Sequence, residues 1–240
     1  MATERRFSGT LTSEYDLFDL ACPKGPILDA TMAREIRRFK PRRQTQVLDA
    51  LELGFGTGFT SKVILGCRAD LRLTAMDNEP QMLPKARKNL KQWIGDGRLT
   101  LHVTDALAFL RKQPTRRYDV VATAATLHNF AVPYRALVWK ELSRIMKPGA
   151  LFINADKYAQ KGPAQRSAVK ARMGRYFGVA VPRQSFDWLK SVVLHYMDDE
   201  SPERRMDEAE QAALMRSAGF VGVRRIYRMD MTAVVVAYRA

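Results

Sequence analysis

Short apolar runs recur along the chain at 47–53, 71–76, 99–103, 119–123 and 150–155, each bounded by polar or turn-forming residues, and each reads as a buried strand. The segments between them carry helical spacing instead. After Asn78, an expected N-cap followed by Pro80 in the first turn, Met82, Ala86, Leu90 and Trp93 repeat every three or four residues, with Lys85, Lys88 and Lys91 elsewhere around the helix. Residues 134–146 repeat the pattern and are expected to stop at Lys147-Pro148-Gly149. Strand and helix in regular alternation predict an α/β fold: a doubly wound, mostly parallel sheet with helices on both faces. The last third departs from the rhythm. A helix over 207–218, with Asp207 and Glu210 as a capping box and Gly219 as its stop, precedes two strand-like runs, 221–229 and 231–238, that predict an antiparallel hairpin.

Two stretches lie outside the alternation. Residues 1–46 form an N-terminal helical extension in which Met32, Ile36 and Phe39 make one apolar stripe, and about 157–206 forms a helical insert within the remaining domain, 47–240. Both are expected over the same edge of the sheet. In the insert, Val169, Met173 and Tyr176 form a stripe that suits a lid, a homodimer surface or an anion-binding wall. The absence of repeats, low-complexity tracts and Gly/Ser linkers argues against further domains.

With 46% hydrophobic residues the chain can bury a sizeable core, which excludes global disorder. Nothing approaches the roughly 20 apolar residues of a bilayer span, and the N-terminus lacks the apolar segment of a secretory signal; a cytoplasmic protein without a membrane partner is expected. Cys22 and Cys67 cannot build a disulfide framework, and neither shares a metal-ligand spacing with His102, His128 or His195, so no metal is expected. The net charge of +15 suggests a polyanionic partner, yet the excess is spread along the chain. Local concentrations occur at Arg34–Arg43 and between Lys157 and Arg175.

The sharpest chemical signal is Leu51-Glu52-Leu53-Gly54-Phe55-Gly56-Thr57-Gly58, directly after the first strand and before a helix. Glycines there allow a tight turn and close approach of a ligand to the backbone. Their spacing is not that of a dinucleotide fingerprint, which wants a glycine where Phe59 stands, and no Gly-Lys-Ser/Thr ending marks a triphosphate loop. Asp77, ending the second strand 19 residues beyond Gly58, is placed to accept ribose hydroxyls, and Asp105 ends the third strand near enough to accept a bond from an adenine amino group.

In this order and spacing, the glycine motif, Asp77, Asp105, Tyr118-Asp119-Val120-Val121, the Lys147-Pro148-Gly149 turn and the final hairpin resemble the class I (Rossmann-like) S-adenosylmethionine-dependent methyltransferases of small-molecule type. The resemblance implies a seven-stranded sheet with an antiparallel last strand and S-adenosyl-L-methionine across the carboxyl ends of the first strands. It places Gly54, Gly56 and Gly58 against the methionine part, Asp77 and Asn78 at the ribose, Asp105 and Ala106 at the adenine, and Glu52 as organiser of the loop or of the cofactor's amino group. Tyr15, in a lid-like Ser13-Glu14-Tyr15-Asp16 segment, is expected at the methionine carboxylate.

Acceptor residues should follow the fourth and fifth strands. Ala124-Ala125-Thr126-Leu127-His128-Asn129-Phe130 is not the Asn/Asp-Pro-Pro-Tyr/Phe motif used on nucleobase amino groups, and there is no Pro-Cys pair for attack on a pyrimidine. His128 is the candidate general base; packing against the cofactor or capping the next helix are its alternatives. Asp156, Lys157 and Tyr158 are expected to face the acceptor, with His195 lining the same cavity. The favoured reading is methyl transfer to an O or N nucleophile of a small molecule. An RNA methyltransferase using the basic surface is the alternative, and a non-catalytic cofactor-binding protein a third reading.

Overall fold

The computed structural model describes residue 6 and residues 9–21, 26–43 and 46–240; Cys22 lies outside this set. Three helices come first, α1 (Thr10–Ser13), α2 (Tyr15–Ala21) and α3 (Pro26–Arg38). The alternation then runs β1 (Leu48–Leu53), α4 (Phe59–Cys67), β2 (Leu71–Asp77), α5 (Met82–Asn89), α6 (Lys91–Gly95), β3 (Leu99–Val103), α7 (Ala106–Lys112), β4 (Tyr118–Ala124), α8 (Val132–Ile145) and β5 (Met146–Lys157). It closes with α9 (Gly162–Ala180), α10 (Phe186–Asp199), α11 (Glu208–Ser217), β6 (Phe220–Met229) and β7 (Thr232–Arg239).

The strands form one sheet in the order β3-β2-β1-β4-β5-β7-β6. Neighbours from β3 to β5 are parallel, and β7 runs antiparallel to both β5 and β6. This is the doubly wound, seven-stranded arrangement with an antiparallel last strand that the pattern and the resemblance imply. The inner strands β1, β4, β5 and β7 are buried almost throughout because both faces are covered, whereas β3 and β6 at the sheet edges are partly exposed. Successive side chains separate cleanly: Leu51, Leu53, Val121, Phe152 and Val235 pack under α7, α8 and α11, whereas Ala50, Val120, Ala122, Leu151 and Val236 pack under α3, α4 and α5. On the first face Trp139, Phe152 and Phe220 meet edge to face at centroid distances of 5.1–5.9 Å.

Some local expectations shift. Asn78 does not cap α5, which begins only at Met82; the Glu79 carboxylate accepts the Gln81 N–H at 3.1 Å and so stabilises the approach to the helix. The helical run also breaks at Leu90, dividing the stripe between α5 and α6, although Met82, Ala86 and Leu90 are all buried. α8 ends at Ile145, earlier than the Lys147-Pro148-Gly149 turn, because Met146 already pairs with Tyr118 of β4. Asp207 does cap α11, accepting N–H bonds from Ala209 and Glu210.

Helices α9 and α10 form a hairpin that starts just beyond the carboxyl end of β5. Leu11 and Ala21 pack with Ala168, Tyr176, Ala180, Trp188 and Val192 in a third apolar cluster, so the N-terminal helices and the hairpin cover each other. Val169 and Met173 pack against this cluster, which turns their stripe inward. No helix among the described residues is long and apolar enough to cross a membrane.

Candidate functional site

At the carboxyl end of β1 the chain turns through the glycine loop. Gly54 donates its N–H to Met76 O at 2.7 Å, tying the loop to β2. Its φ is +78°, and a Cβ there would fall 2.0 Å from Thr126 Oγ1. Gly58, at φ +88°, caps α4, and a Cβ on it would meet Leu90 Cδ1 at 2.6 Å. Both positions need glycine for conformation and for space together. The Gly56 N–H donates to Asp77 Oδ2 at 2.8 Å, while Asp77 Oδ1 accepts from Glu79 N at 2.9 Å. Burial raises the Asp77 pKa, and these backbone N–H donors oppose that rise.

Beneath the loop, Glu52 is completely buried and its Oε2 accepts a 2.5 Å hydrogen bond from Ser61 Oγ. Burial pushes its pKa up to about 8, against the Ser61 bond and reinforced by the nearby Asp77 charge. Between pH 4.5 and about 8 the folded chain therefore keeps a proton that the unfolded chain releases, and this group's contribution to stability declines as pH rises through that window. Glu52→Gln is expected to melt above the unsubstituted chain at pH 8, with the gap closing toward pH 4.5. Thermal denaturation across that range checks it, and an unchanged pH slope in the variant would refute it.

The loop borders a cleft of about 980 Å³, its open mouth included, lined by Tyr15, Gly54, Gly56, Asp77, Asn78 and Ala106 among others. Tyr15 lies over the glycine loop, its hydroxyl 3.6 Å from where a Cβ on Gly56 would be. Asp105 is less available than Ala106. It caps α7, with Oδ1 accepting from Ala108 N and Oδ2 from the Tyr134 hydroxyl, both at 2.9 Å. Arg6, Thr126 and Asn129 also line this cleft.

A second cavity of about 680 Å³, its opening included, adjoins the first, and Phe59, Thr60, Ala124 and Ala125 line both. It gathers His128, Asp156, Lys157 and His195, together with Arg172, Tyr176 and Asp199, against apolar walls from Leu28 and Met32. His128 sits in a 3₁₀ turn, Leu127–Asn129, after β4. Its Nδ1 lies 2.5 Å from Asp156 Oδ1, and Asp156 also accepts N–H bonds from Leu127 (2.9 Å) and Lys157 (2.7 Å). Burial works to raise the Asp156 pKa, but the adjacent His128 and these hydrogen bonds hold it below the usual carboxylate range. An ionised Asp156 beside Nδ1 favours a proton on that nitrogen.

Tyr158 does not join this cavity. β5 ends at Lys157, and the next phenol turns into the core under α8 and α11, where its oxygen accepts a bond from Asn154 Nδ2 at 2.9 Å. His195 does join it, its ring 6.5 Å from that of His128. Burial, together with Arg6, His128 and Lys157, pushes the His195 pKa down to about 3, against the pull of Asp199, so this imidazole is neutral.

Asp199 is the group that sequence reasoning missed. Its carboxylate pairs with Arg6 Nη1 at 2.7 Å and Lys157 Nζ at 3.0 Å, and lies within 3.9 Å of both imidazoles. The i, i+4 spacing of His195 and Asp199 on one helix face was a usable signal; Arg6, 193 residues away, offered none. The donor atoms of His128, His195 and Asp199 fall within 4.8 Å of one another, a set able to hold a divalent cation. Arg6 and Lys157 already balance that carboxylate, and their charges oppose a metal at the same point.

With this geometry described, the relatives are informative. A family model described as a methyltransferase domain matches residues 51–152. A demethylmenaquinone methyltransferase of Leptospira interrogans is 29% identical over 164 residues, 64% of this chain and 63% of its own length. A trans-aconitate 2-methyltransferase of Streptomyces avermitilis is 34% identical over 87 residues, 36% of this chain and 30% of its own. The chain thus spans less than two thirds of either relative. Among solved structures, an O-methyltransferase family protein from Burkholderia thailandensis superposes with a TM-score of 0.65 at 16% identity, covering 98% of this chain and 62% of that one. Family match, relatives and sheet order agree to this extent: residues 51–152 match a methyltransferase domain, and the chain shares its fold with solved methyltransferases.

Proposed function

We propose that the protein transfers a methyl group from S-adenosyl-L-methionine to an oxygen or nitrogen nucleophile of a small molecule. The observation that carries this reading is the pair of adjoining cavities, a glycine-floored cleft and a polar pocket holding a His128–Asp156 pair, meeting at Phe59, Thr60, Ala124 and Ala125. The cleft suits a nucleoside with an amino acid tail. Its floor has no Cβ at Gly54 or Gly56, and Asp77 and Asn78 on its wall offer acceptors for ribose hydroxyls. Ala106 offers a small wall beside an adenine, and Tyr15 covers the opposite end.

The bound cofactor would supply an electrophilic methyl group on a sulfonium. The chain's own work is to position the acceptor and to take its proton. His128 Nε2 accepts the proton of an acceptor O–H or N–H, Asp156 holds the ring and stabilises the resulting imidazolium, and apolar Leu28 and Met32 exclude water. Lys157 and Asp199 orient polar groups of the acceptor. Relatives named for demethylmenaquinone and trans-aconitate support a small-molecule acceptor.

Isothermal titration with S-adenosyl-L-methionine tests the cofactor, and labelled-methyl transfer into a metabolite extract compared with bulk RNA tests the acceptor class. Label entering RNA would overturn the small-molecule reading. Asp77→Ala is expected to weaken cofactor binding on the order of 10- to 100-fold through lost charge-assisted hydrogen bonds. Unchanged affinity would remove Asp77 from the site.

A further inference from the structure

Of the thirteen large apolar side chains exposed among the described residues, five fall between residues 177 and 197: Phe177 at 50%, Val181 at 49%, Phe186 at 58%, Leu194 at 55% and Met197 at 62%. Isolated exposed apolar residues are ordinary, but this concentration lies at the bend and on the outer faces of the α9–α10 hairpin. The helical period explains the division. On α9, Ala168, Arg172, Tyr176 and Ala180 face inward, while Arg166, Lys170 and Phe177, and Val181 in the turn just after it, face solvent. On α10, Trp188, Val192 and His195 face inward, while Phe186, Lys190, Leu194 and Met197 face solvent. The inner faces already complete the third apolar cluster, so the outer ones are surplus to folding.

The charges beside them are one-sided. Arg166, Lys170, Arg183 and Lys190 are exposed, as is Asp187, whereas Asp198 is held by Arg6 and Arg204. We propose that this hairpin docks on an anionic phospholipid surface, with its apolar side chains entering the headgroup layer and its lysines and arginines meeting lipid phosphates. At such a surface, burial of exposed apolar side chains in the headgroup layer and attraction of neighbouring cations to anionic lipid add together. Charge decides against a second copy of the chain as occupant, since two chains of +15 repel each other while an anionic bilayer attracts both. The docking replaces the expectation of no membrane partner and needs no spanning helix. It also sets the lipid surface across the same two helices from the second cavity, which Tyr176 and His195 line from their inner faces.

Co-sedimentation of the full chain with phosphatidylcholine vesicles and with mixed phosphatidylcholine/phosphatidylglycerol vesicles tests the proposal. Cofactor and acceptor are left out, so the outcome is independent of methyl transfer. Binding is expected to the mixed vesicles and not to the neutral ones. Phe177→Ser and Phe186→Ser should each weaken it about tenfold, and Lys170→Glu and Lys190→Glu each about fivefold. All four are surface positions, and unchanged melting curves verify that the variants fold. No sedimentation with mixed vesicles would overturn the proposal, as would serine variants that bind as tightly as the parent. Concentration-dependent dimerisation abolished by the serine substitutions would equally overturn it, assigning the surface to a second copy.

Discussion

His128→Ala is expected to lower kcat for methyl transfer by roughly 10²- to 10⁴-fold, the usual contribution of a positioned general base, while S-adenosyl-L-methionine binds as before. The separation is structural. His128 belongs to the second cavity and not to the glycine-floored cleft, so its removal leaves the cofactor's surroundings intact. Asp156→Asn should reproduce much of the loss by a different route. An amide at 2.5 Å from Nδ1 no longer enforces a proton on that nitrogen, and the competing tautomer presents N–H where an acceptor lone pair is needed. Steady-state kinetics alongside calorimetry distinguish the outcomes. Full turnover in His128→Ala would eliminate the base and leave positioning as the site's contribution.

Gly54→Ala is expected to abolish measurable cofactor binding and to lower the melting temperature. The new Cβ would sit 2.0 Å from Thr126 Oγ1 and 2.9 Å from Thr126 Cγ2, and φ +78° disfavours any L side chain. The backbone term alone costs about 1–2 kcal/mol, and the clash adds displacement of the turn that carries His128. A double substitution separates the two causes. Thr126→Ala removes the clashing oxygen and methyl group, leaving a contact at 3.0 Å, so Gly54→Ala/Thr126→Ala should recover part of the stability but not all. Thermal melts and titration of the four-member cycle read this directly. Additive effects would mean that the two residues do not meet.

The sheet was legible in the sequence because its determinants are local. Runs such as 119–123 and 150–155 are buried on both faces, and strand ends are marked by Asp77, by Asp105 as a helix cap and by the glycines at 54–58. The cleft was legible for the same reason, since Gly54, Gly56 and Asp77 lie at strand ends that parallel pairing must align. The second cavity was half legible. His128, Asp156 and Lys157 follow adjacent strands, but Asp199 and Arg6 arrive from the hairpin and the N-terminal segment, and no periodicity relates them. Tyr158 was misplaced because alternation along β5 stops at Lys157, where backbone pairing passes to Met231 and Met206. The distance between Asn78 and the start of α5 has a similar origin: Asp77 and Glu79 engage the intervening N–H groups themselves.

The position of β7 has a consequence for the order of assembly. It is inserted between β5 and β6, pairing Leu151 with Tyr238 and Phe220 with Arg239. Until β7 is in place, β6 has no strand to join and β5 presents a bare edge, so during synthesis that side of the sheet stays open while the glycine loop and its partner strands can already close. Long-range pairing of this kind is slow. The second cavity, which takes Thr232 from β7 into its wall, is therefore the late-forming half of the candidate site. Refolding followed by cofactor binding should run ahead of refolding followed by turnover.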